Sequence, residues 1–338
     1  RDRIEDTMNV PDKRERVERA IEALAPLEAS CTLCPRDCRV DRTKNEKGVC
    51  QTGRLAAVSH ALLHYGEEPV LSGPGGYPGP SPKHGPAGSG TVFFAGCNLK
   101  CLFCQNYQLS WLREGEEAAD QALAAMMLRL QKQGALNINL VSPSHVLLPI
   151  LRALRIALAE GLDLPLVFNS NGYDKAEVIR HLDGIVDIYL PDLKYHDPEV
   201  SKRYSGAADY FRQAGPALLE MHRQQPRLVL DDNEIAVRGL IIRHLVLPGQ
   251  VRDTWAVLDW IRYNLSPSVY LSLMSQYHPC FRAPEEIRRG LTAKEYQEAV
   301  LRAEEMGFES LYTQPEPFKD DEHLVPDFKR RKPFRWKG

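Results

Sequence analysis

Residues 91–106 read TVFFAGCNLKCLFCQN. An apolar, aromatic-rich run leads straight into Cys97, Cys101 and Cys104, so the pattern predicts a short buried strand that delivers three thiols into one loop. A structural zinc site closes a tetrahedron with four protein ligands, and an iron–sulfur carrier likewise holds a four-iron cluster with four thiolates. After Cys104 the chain continues QNYQLSWLREGEE, with no Cys or His among these residues. Three thiolates in one loop therefore point to an iron–sulfur cluster with one iron left open to a ligand. A zinc site completed by a remote residue is the alternative.

C-terminal to this stretch the pattern becomes regular. Helical periodicity from about Glu116 to Gln133, and from about Pro143 to Glu160, alternates with strand-like LNINLVS, LPLVFNS and GIVDIYLPDLK. Helical DKAEVIRHL, DPEVSKRYS and a longer stretch to Gln225 follow in turn. RLVLDDNEIAVRG reads as a local hairpin. GLIIRHLVLPG, SVYLSLMSQY and ESLYTQ read as further strands, separated by helices DTWAVLDWIRYNL and TAKEYQEAVLRAEEMG. Six or seven such alternations argue for parallel strands joined by crossover helices in a barrel-like α/β fold. Nearly every strand carries polar residues at or near its C-terminal end: Cys97, then Ser142-Pro143-Ser144-His145, Asn169-Ser170-Asn171, Asp192 with Lys194, Arg243-His244 and Gln276-Tyr277. In a barrel-like fold these ends converge on one site.

The N-terminal third is different in kind. An amphipathic helix is expected over residues 12–25, with Val17, Ala20, Ile21 and Leu24 at three-to-four spacing. CTLCPRDCRVDRTKNEKGVC follows, bringing Cys31, Cys34, Cys38 and Cys50 within twenty residues. Four thiolates so close are a metal signal; zinc and a four-iron cluster both accept them, with iron–sulfur preferred here. Next come RLAAVSHALLHYGEEPVLSG, expected as short strands or irregular chain, and SGPGGYPGPSPKHGPAGSG (72–90), whose seven Gly and five Pro leave no helix or central strand. His64, Glu67 and Glu68 of HYGEEP are expected on an exposed loop, with a position at the barrel mouth as the other reading. The C-terminal FKRRKPFRWKG carries six Lys or Arg and is expected as a solvated tail; nucleic-acid binding is disfavoured. The expected organisation is an N-terminal helix with a four-cysteine module (1–71), a Gly/Pro-rich loop (72–90), the barrel (91–315) and a basic tail (316–338).

The 338 residues are 43% hydrophobic and 26% charged, with a net charge of −2, enough for a sizeable core and without a bulk charge that selects a partner. No stretch approaches a membrane span, and residues 1–30 hold no signal-like apolar run. The expectation is a cytoplasmic protein whose eight cysteines bind metal rather than form disulfides.

The residues now on the page carry a resemblance. Cx3CxxC directly after the first barrel strand, with an aromatic at Phe103, resembles the signature of the radical S-adenosylmethionine (SAM) superfamily. GCNLKCLFCQN with Trp111, LPDLKYHDPEVSKRYSG, LIIRHLVLPG and LMSQYHP, in this order, resemble its pyruvate formate-lyase activating-enzyme branch. With CTLCPRDCRV upstream, the sequence is most similar to the X-type subgroup of uncharacterised activating-enzyme homologues, over about residues 31–315. The resemblance implies an α/β fold, a partial (β/α)6 TIM-like barrel with a small N-terminal cysteine-rich module. It implies a [4Fe-4S] cluster on Cys97, Cys101 and Cys104, reductive cleavage of SAM to a 5′-deoxyadenosyl radical, and hydrogen abstraction from a protein (a glycyl-radical enzyme) or a small molecule. A reductant such as flavodoxin or ferredoxin is implied as partner. Phe103 is expected near the adenine, mainly through its backbone. VSPSH stands where the family has Gly-Gly-Glu, which leaves Ser142, Ser144 or His145 to contact the SAM amino group. Asn169 and Asn171 are expected on the ribose or carboxylate, Asp192 and Lys194 in SAM or ion binding, Arg243 on the SAM carboxylate, and His244 and Gln276 on adenosine or substrate. Catalytic candidates are Asp192, Lys194 and Cys280, the last read chiefly as an ordinary buried thiol. A non-catalytic iron–sulfur or zinc carrier or scaffold is the competing function.

Overall fold

Short runs that are apolar at nearly every position can be buried on both faces, and in the computed structural model they form one mostly parallel sheet. The structure describes residues 10–73, 88–314 and 324–334. Most of the expected Gly/Pro-rich loop therefore lies outside the described residues. In chain order the strands are β1 (Ala56–His64), β2 (Ser89–Ala95), β3 (Glu116–Ala118), β4 (Ile138–Val141), β5 (Leu166–Asn169), β6 (Ile188–Tyr189), β7 (Val229–Leu230), β8 (Ala236–Leu245), β9 (Tyr270–Met274) and β10 (Ser310–Thr313). The helices are α1 (Val10–Leu24), α2 (Pro69–Ser72), α3 (Tyr107–Ser110), α4 (Asp120–Lys132), α5 (Leu147–Ala159), α6 (Ala176–Ile179), α7 (Pro198–Ser205), α8 (Tyr210–Gln224), α9 (Val251–Asn264) and α10 (Ala293–Glu305), joined by short 3-10 turns.

Strands β2, β4, β5, β6, β8, β9 and β10 lie side by side and parallel. A bridge between Asp192 and Arg243 continues the β6–β8 pairing past the end of β6. The order β10-β9-β8-β6-β5-β4-β2-β1-β3 leaves the sheet open, with β10 at one end and β3 at the other. This is a partial barrel. Its C-terminal strand ends all point one way, because each helical connection returns the chain to the opposite end.

Local chemistry sets the helix ends. Asp197 accepts hydrogen bonds from the Glu199 and Val200 amides, Pro198 opens α7, and Gly206 closes it in the left-handed region. Thr292 and Glu295 form a reciprocal cap on α10. Outside the sheet, α1 packs on α5, and Lys13 pairs with Asp187 beside β6.

Four sequence expectations change. The helix expected from Glu116 starts at Asp120, because Glu116–Ala118 are extended and pair with β1 as an edge strand. The RLAAVSHALLH segment is one nine-residue strand, antiparallel to β2 and bulged between Val58 and His60. HYGEEP is not exposed: Glu68 is 7% exposed and His64 8%. Part of the expected solvated tail is anchored. The Phe328 ring lies 5.3 Å from Phe93 and its amide donates to Gln108 Oε1. Phe334 stands 4.4 Å from His64, and the Arg330 carbonyl is 2.8 Å from His60 Nε2. The two phenylalanines outweigh their basic neighbours, since burying one such ring is worth about 2–3 kcal/mol. No helix among the described residues is long and apolar enough to cross a membrane.

Candidate active site

Strand β2 is buried along its whole length and ends at Gly96, whose φ is +90°. A side chain there would meet the Cys50 carbonyl at 2.5 Å and His145 Nε2 and Thr52 Oγ1 at 3.0 Å, so glycine is required for the strand to turn into the cysteine loop. The loop is pinned from several directions. Arg36 Nε donates to the Asn98 carbonyl (2.7 Å), Trp111 Nε1 to the Cys101 carbonyl (2.9 Å) and the Leu102 amide to the Tyr204 carbonyl (2.8 Å). Lys100 reaches the Ser110 carbonyl and lies over the Trp111 ring.

Cys97, Cys101 and Cys104 all line one cavity of about 140 Å³. Its other walls include Ser142 after β4, Asn169 and Asn171 from β5, Asp192 and Lys194 after β6, and Arg243 in β8. The convergence of strand ends expected from the sequence is thus present. Each sulfur has a polar neighbour. Asn171 Nδ2 stands 3.3 Å from Cys97 Sγ, Ser205 Oγ 3.0 Å from Cys101 Sγ and Ser110 Oγ 3.2 Å from Cys104 Sγ. Burial pushes the Cys97 thiol up to about 11 and Cys104 to about 12, and raises Cys101 too. Bare thiols here would stay protonated. A bound cation reverses that preference, and the hydroxyl and amide groups then face thiolates they can donate to. Three such sulfurs on one cavity fit an iron–sulfur cluster with an open corner.

The charged wall is built as a chain. Asp192 accepts from Lys194 Nζ at 2.6 Å and from Arg243 Nε at 3.0 Å, while Arg243 Nη2 donates to Asn169 Oδ1 at 2.6 Å. Burial alone would raise the Asp192 carboxyl, but the adjacent ammonium and guanidinium outweigh it and hold it below the usual range. Burial would likewise lower Lys194, yet Asp192 and Cys101 keep it raised. The site therefore presents fixed charges of both signs in a dry pocket, as a zwitterionic amino-acid end requires.

Three expected contacts, those of His145, Ser144 and His244, point elsewhere. His145 is buried behind β2, with Nε2 on the Ala95 carbonyl at 3.0 Å; burial lowers it to about 4. Ser144 is also buried off the cavity, leaving Ser142 as the group from VSPSH that lines it. Ser142 has a φ of +59°, a left-handed conformation unusual without glycine. His244 spends both ring nitrogens on structure, Nδ1 on the Leu193 carbonyl (2.6 Å) and Nε2 on Thr254 Oγ1 (2.9 Å). The Phe103 ring sits against Tyr277 and Tyr204, and Cys280 Sγ donates to the Phe103 carbonyl behind the loop. Gln276, expected on adenosine or substrate, lines a second, adjoining cavity. Sequence reasoning missed Ser110, Ser205 and Asn106. Ser205 reaches Cys101 from 104 positions away, a contact that no local pattern announces.

The second cavity, of about 170 Å³, is lined by His64, Glu67, Phe93, Asn169, Arg243 and Gln276 and is walled by Leu324, Pro326 and Phe334. Glu67 lies between His64 Nδ1 (3.5 Å) and Arg243 Nη1 (3.6 Å). Against the penalty of burial, these neighbours hold its carboxyl below the usual range.

The four-cysteine module docks against the back of the loop. Arg42, itself buried, donates from Nη1 to the His145 carbonyl at 2.6 Å and from Nη2 to Cys50 Sγ at 3.1 Å. Cys31, Cys34, Cys38 and Cys50 are all free thiols, and the Val49 amide donates to Cys38 Sγ. A side chain at Gly48 would come within 2.6 Å of Cys38 Sγ, so the loop is closed tightly over that sulfur. Among the described residues no three His, Cys, Asp or Glu side chains are gathered closely enough for a single metal ion.

Three buried thiols at the carboxyl ends of an open parallel α/β sheet, beside a pocket of paired charges, define a class of cluster-dependent enzyme. The Radical SAM superfamily profile matches residues 91–261, and the chain belongs to that superfamily. Its cofactors are a [4Fe-4S] cluster and SAM. It is 31% identical over 294 residues to the uncharacterized protein MJ0674 of Methanocaldococcus jannaschii, covering 84% of this chain and 77% of that one. Two solved structures are similar more distantly. The anSMEcpe structure with bound AdoMet is 14% identical with a TM-score of 0.41, covering 62% of this chain and 57% of that one. SuiB of Streptococcus suis is 15% identical with a TM-score of 0.45, covering 68% and 48%. The chain thus spans little more than half of anSMEcpe and about half of SuiB.

Proposed function

We propose that Cys97, Cys101 and Cys104 hold the [4Fe-4S] cluster, that the adjoining charged cavity takes SAM, and that a substrate in the second cavity gives up a hydrogen atom. The observation that carries this reading is the shared cavity of the three thiols and the polar strand ends. When bound, the reduced cluster and SAM supply a 5′-deoxyadenosyl radical. Everything else falls to the chain itself. Asn171, Ser205 and Ser110 stand within donating distance of the three sulfurs. Arg243 and Lys194 suit a carboxylate and Asp192 an ammonium, so together they orient the amino-acid end of SAM. The buried walls exclude water, which protects a radical from side reactions.

The resemblance to activating enzymes favours a glycyl-radical protein as substrate. The narrow second cavity, walled by Leu324, Pro326 and Phe334, favours a small molecule instead. An external reductant such as flavodoxin or ferredoxin is required in either case. For Cys31, Cys34, Cys38 and Cys50 the reading is a second [4Fe-4S] cluster, with zinc as the alternative; Arg42 ties the module to the segment after β4, and Arg36 ties it to the loop. Anaerobic reduction of the reconstituted protein with SAM tests the main reading. The expected product is 5′-deoxyadenosine; none from a fully loaded protein would overturn it.

A further inference from the structure

HYGEEP lies beyond the cysteine motif and beyond every residue assigned so far to SAM. Its two glutamates are buried, and they differ. Glu67 is flanked by His64 and Arg243. Glu68 is 7% exposed, and its Oε2 has no hydrogen-bond partner. It lines a cavity of about 50 Å³ with Gly66, Ser272, Met274, Tyr312 and Gln314. Burial pushes the Glu68 carboxyl up; Arg243 opposes this, and Glu67 adds to it. That Arg243 guanidinium is already engaged by Asp192, Asn169 and Glu67. Asp192, Glu67 and Glu68 thus face two permanent cations, Lys194 and Arg243, and the His64 ring stands beside Glu67 rather than Glu68. Ser272 also helps to hold the Glu68 carboxyl down, but a buried carboxylate with one oxygen unpaired is costly. Glu68 lines this small cavity beside Glu67 and Arg243, with Ser272, Gln276 and Gln314 as its neutral polar neighbours.

This small cavity shares Gly66, Glu67, Arg243 and Gln276 with the second cavity, and only Arg243 with the cysteine-lined one. A ligand group at Glu68 is therefore separate from SAM and continuous with the substrate space. We infer that Glu68 is the recognition group for a cationic end of the substrate, an ammonium or guanidinium on a small free molecule, which docks among Ser272, Gln276 and Gln314. This rests on the proposed radical SAM reading and narrows it. The cation gives Glu68 a counter-charge of its own, and the remainder of the molecule extends past Arg243 toward the cysteine-lined cavity. A glycyl backbone offers no such charge.

The test is equilibrium binding to the anaerobically reconstituted full chain, read by ligand-observed NMR. The probes are n-butylammonium and butylguanidinium, their neutral and anionic counterparts butyramide and butyrate, and the tripeptide acetyl-Ala-Lys-Ala-amide. The expected result is cation affinity at least tenfold above that for butyramide, reduced at least tenfold in Glu68→Gln. A melting temperature of the ligand-free Glu68→Gln protein at or above that of the unaltered protein is also expected, because the substitution removes a buried charge. Equal binding of butylammonium and butyramide, or full cation affinity in Glu68→Gln, overturns the inference. Tripeptide binding without butylammonium binding overturns the small-molecule source. SAM binding by the unaltered protein, measured in parallel, separates the failures. Loss of cation preference with SAM bound refutes the Glu68 role alone, whereas absence of SAM binding refutes the site reading beneath it.

Discussion

The three-cysteine loop and the four-cysteine module touch through Arg36, yet they present their sulfurs in opposite ways. In the loop the sulfurs share a cavity, and two of their polar neighbours, Asn171 and Ser205, come from distant parts of the chain, while Ser110 follows the loop directly. In the module none of the four cysteines lines that cavity, and the neighbours are local: the Val49 amide on Cys38 and Arg42 on Cys50. Burial acts alike on both, pushing Cys34 to about 12 as it does Cys104. Their difference lies in ligand count and access. A site with all its ligands inside one short segment can fold that segment, whereas a site one ligand short must borrow its surroundings from the whole barrel and can accept a reactant.

Breaking each site separately sharpens the contrast. The largest effect is expected from Cys101→Ala: 5′-deoxyadenosine formation falls by on the order of 10³-fold or more, because the cofactor chemistry is lost outright. Quantifying the nucleoside by chromatography checks this, and metal retained in the module shows that the second site survives. Cys34→Ser is expected to lose the module's metal and several kcal/mol of stability, roughly the scale at which metal binding supports a small fold. With a chemical reductant in excess, SAM cleavage should persist; equal loss of cleavage in both variants would erase the distinction. Iron, sulfide and zinc counts on a protein with Cys97, Cys101 and Cys104 all changed to Ala identify the module's metal. Iron with sulfide supports a second cluster, and zinc alone refutes it.

Arg42→Met removes the buried bonds that tie Cys50 of the module to the His145 carbonyl after β4. Losing buried hydrogen bonds from a charged group costs about 1.5–3 kcal/mol each, measurable by denaturant unfolding. A smaller and pH-dependent effect belongs to His244. Burial lowers it to about 4, so its neutral form is favoured when folded and the unfolded chain binds the proton more readily. Its contribution is complete above about pH 6.5 and is lost as pH falls toward 4, at up to about 1.4 kcal/mol per pH unit. In His244→Gln that part of the slope should vanish from melting curves taken between pH 7 and 4.

Much of the site was legible because chemistry at a strand end is local. Cys97 follows β2 directly, and Asn169, Asp192 and Arg243 each close an apolar run, so a barrel-like alternation sufficed to gather them. His145 and His244 look the same by that rule but face away. One extra residue of path, or a helix packed behind the strand, turns a side chain from the cavity to the structure. HYGEEP and the C-terminal segment were misread for a related reason. Charge and basicity predict solvent, but His64 and Phe93 provide an apolar seat for Phe334, and Arg243 draws Glu67 inward.

By itself the sequence determined the three-thiol motif, the four-thiol segment and the βα rhythm, since each depends on residue type and short spacing. Only the tertiary structure decided that β1 flanks the barrel, that Ser205 and Ser110 serve the sulfurs, that Asp192 lies between Lys194 and Arg243, and that Glu68 is buried without a cation of its own. Most of those relations join residues far apart in the chain. They are governed by which groups lose water together, and that follows from packing rather than from any local pattern.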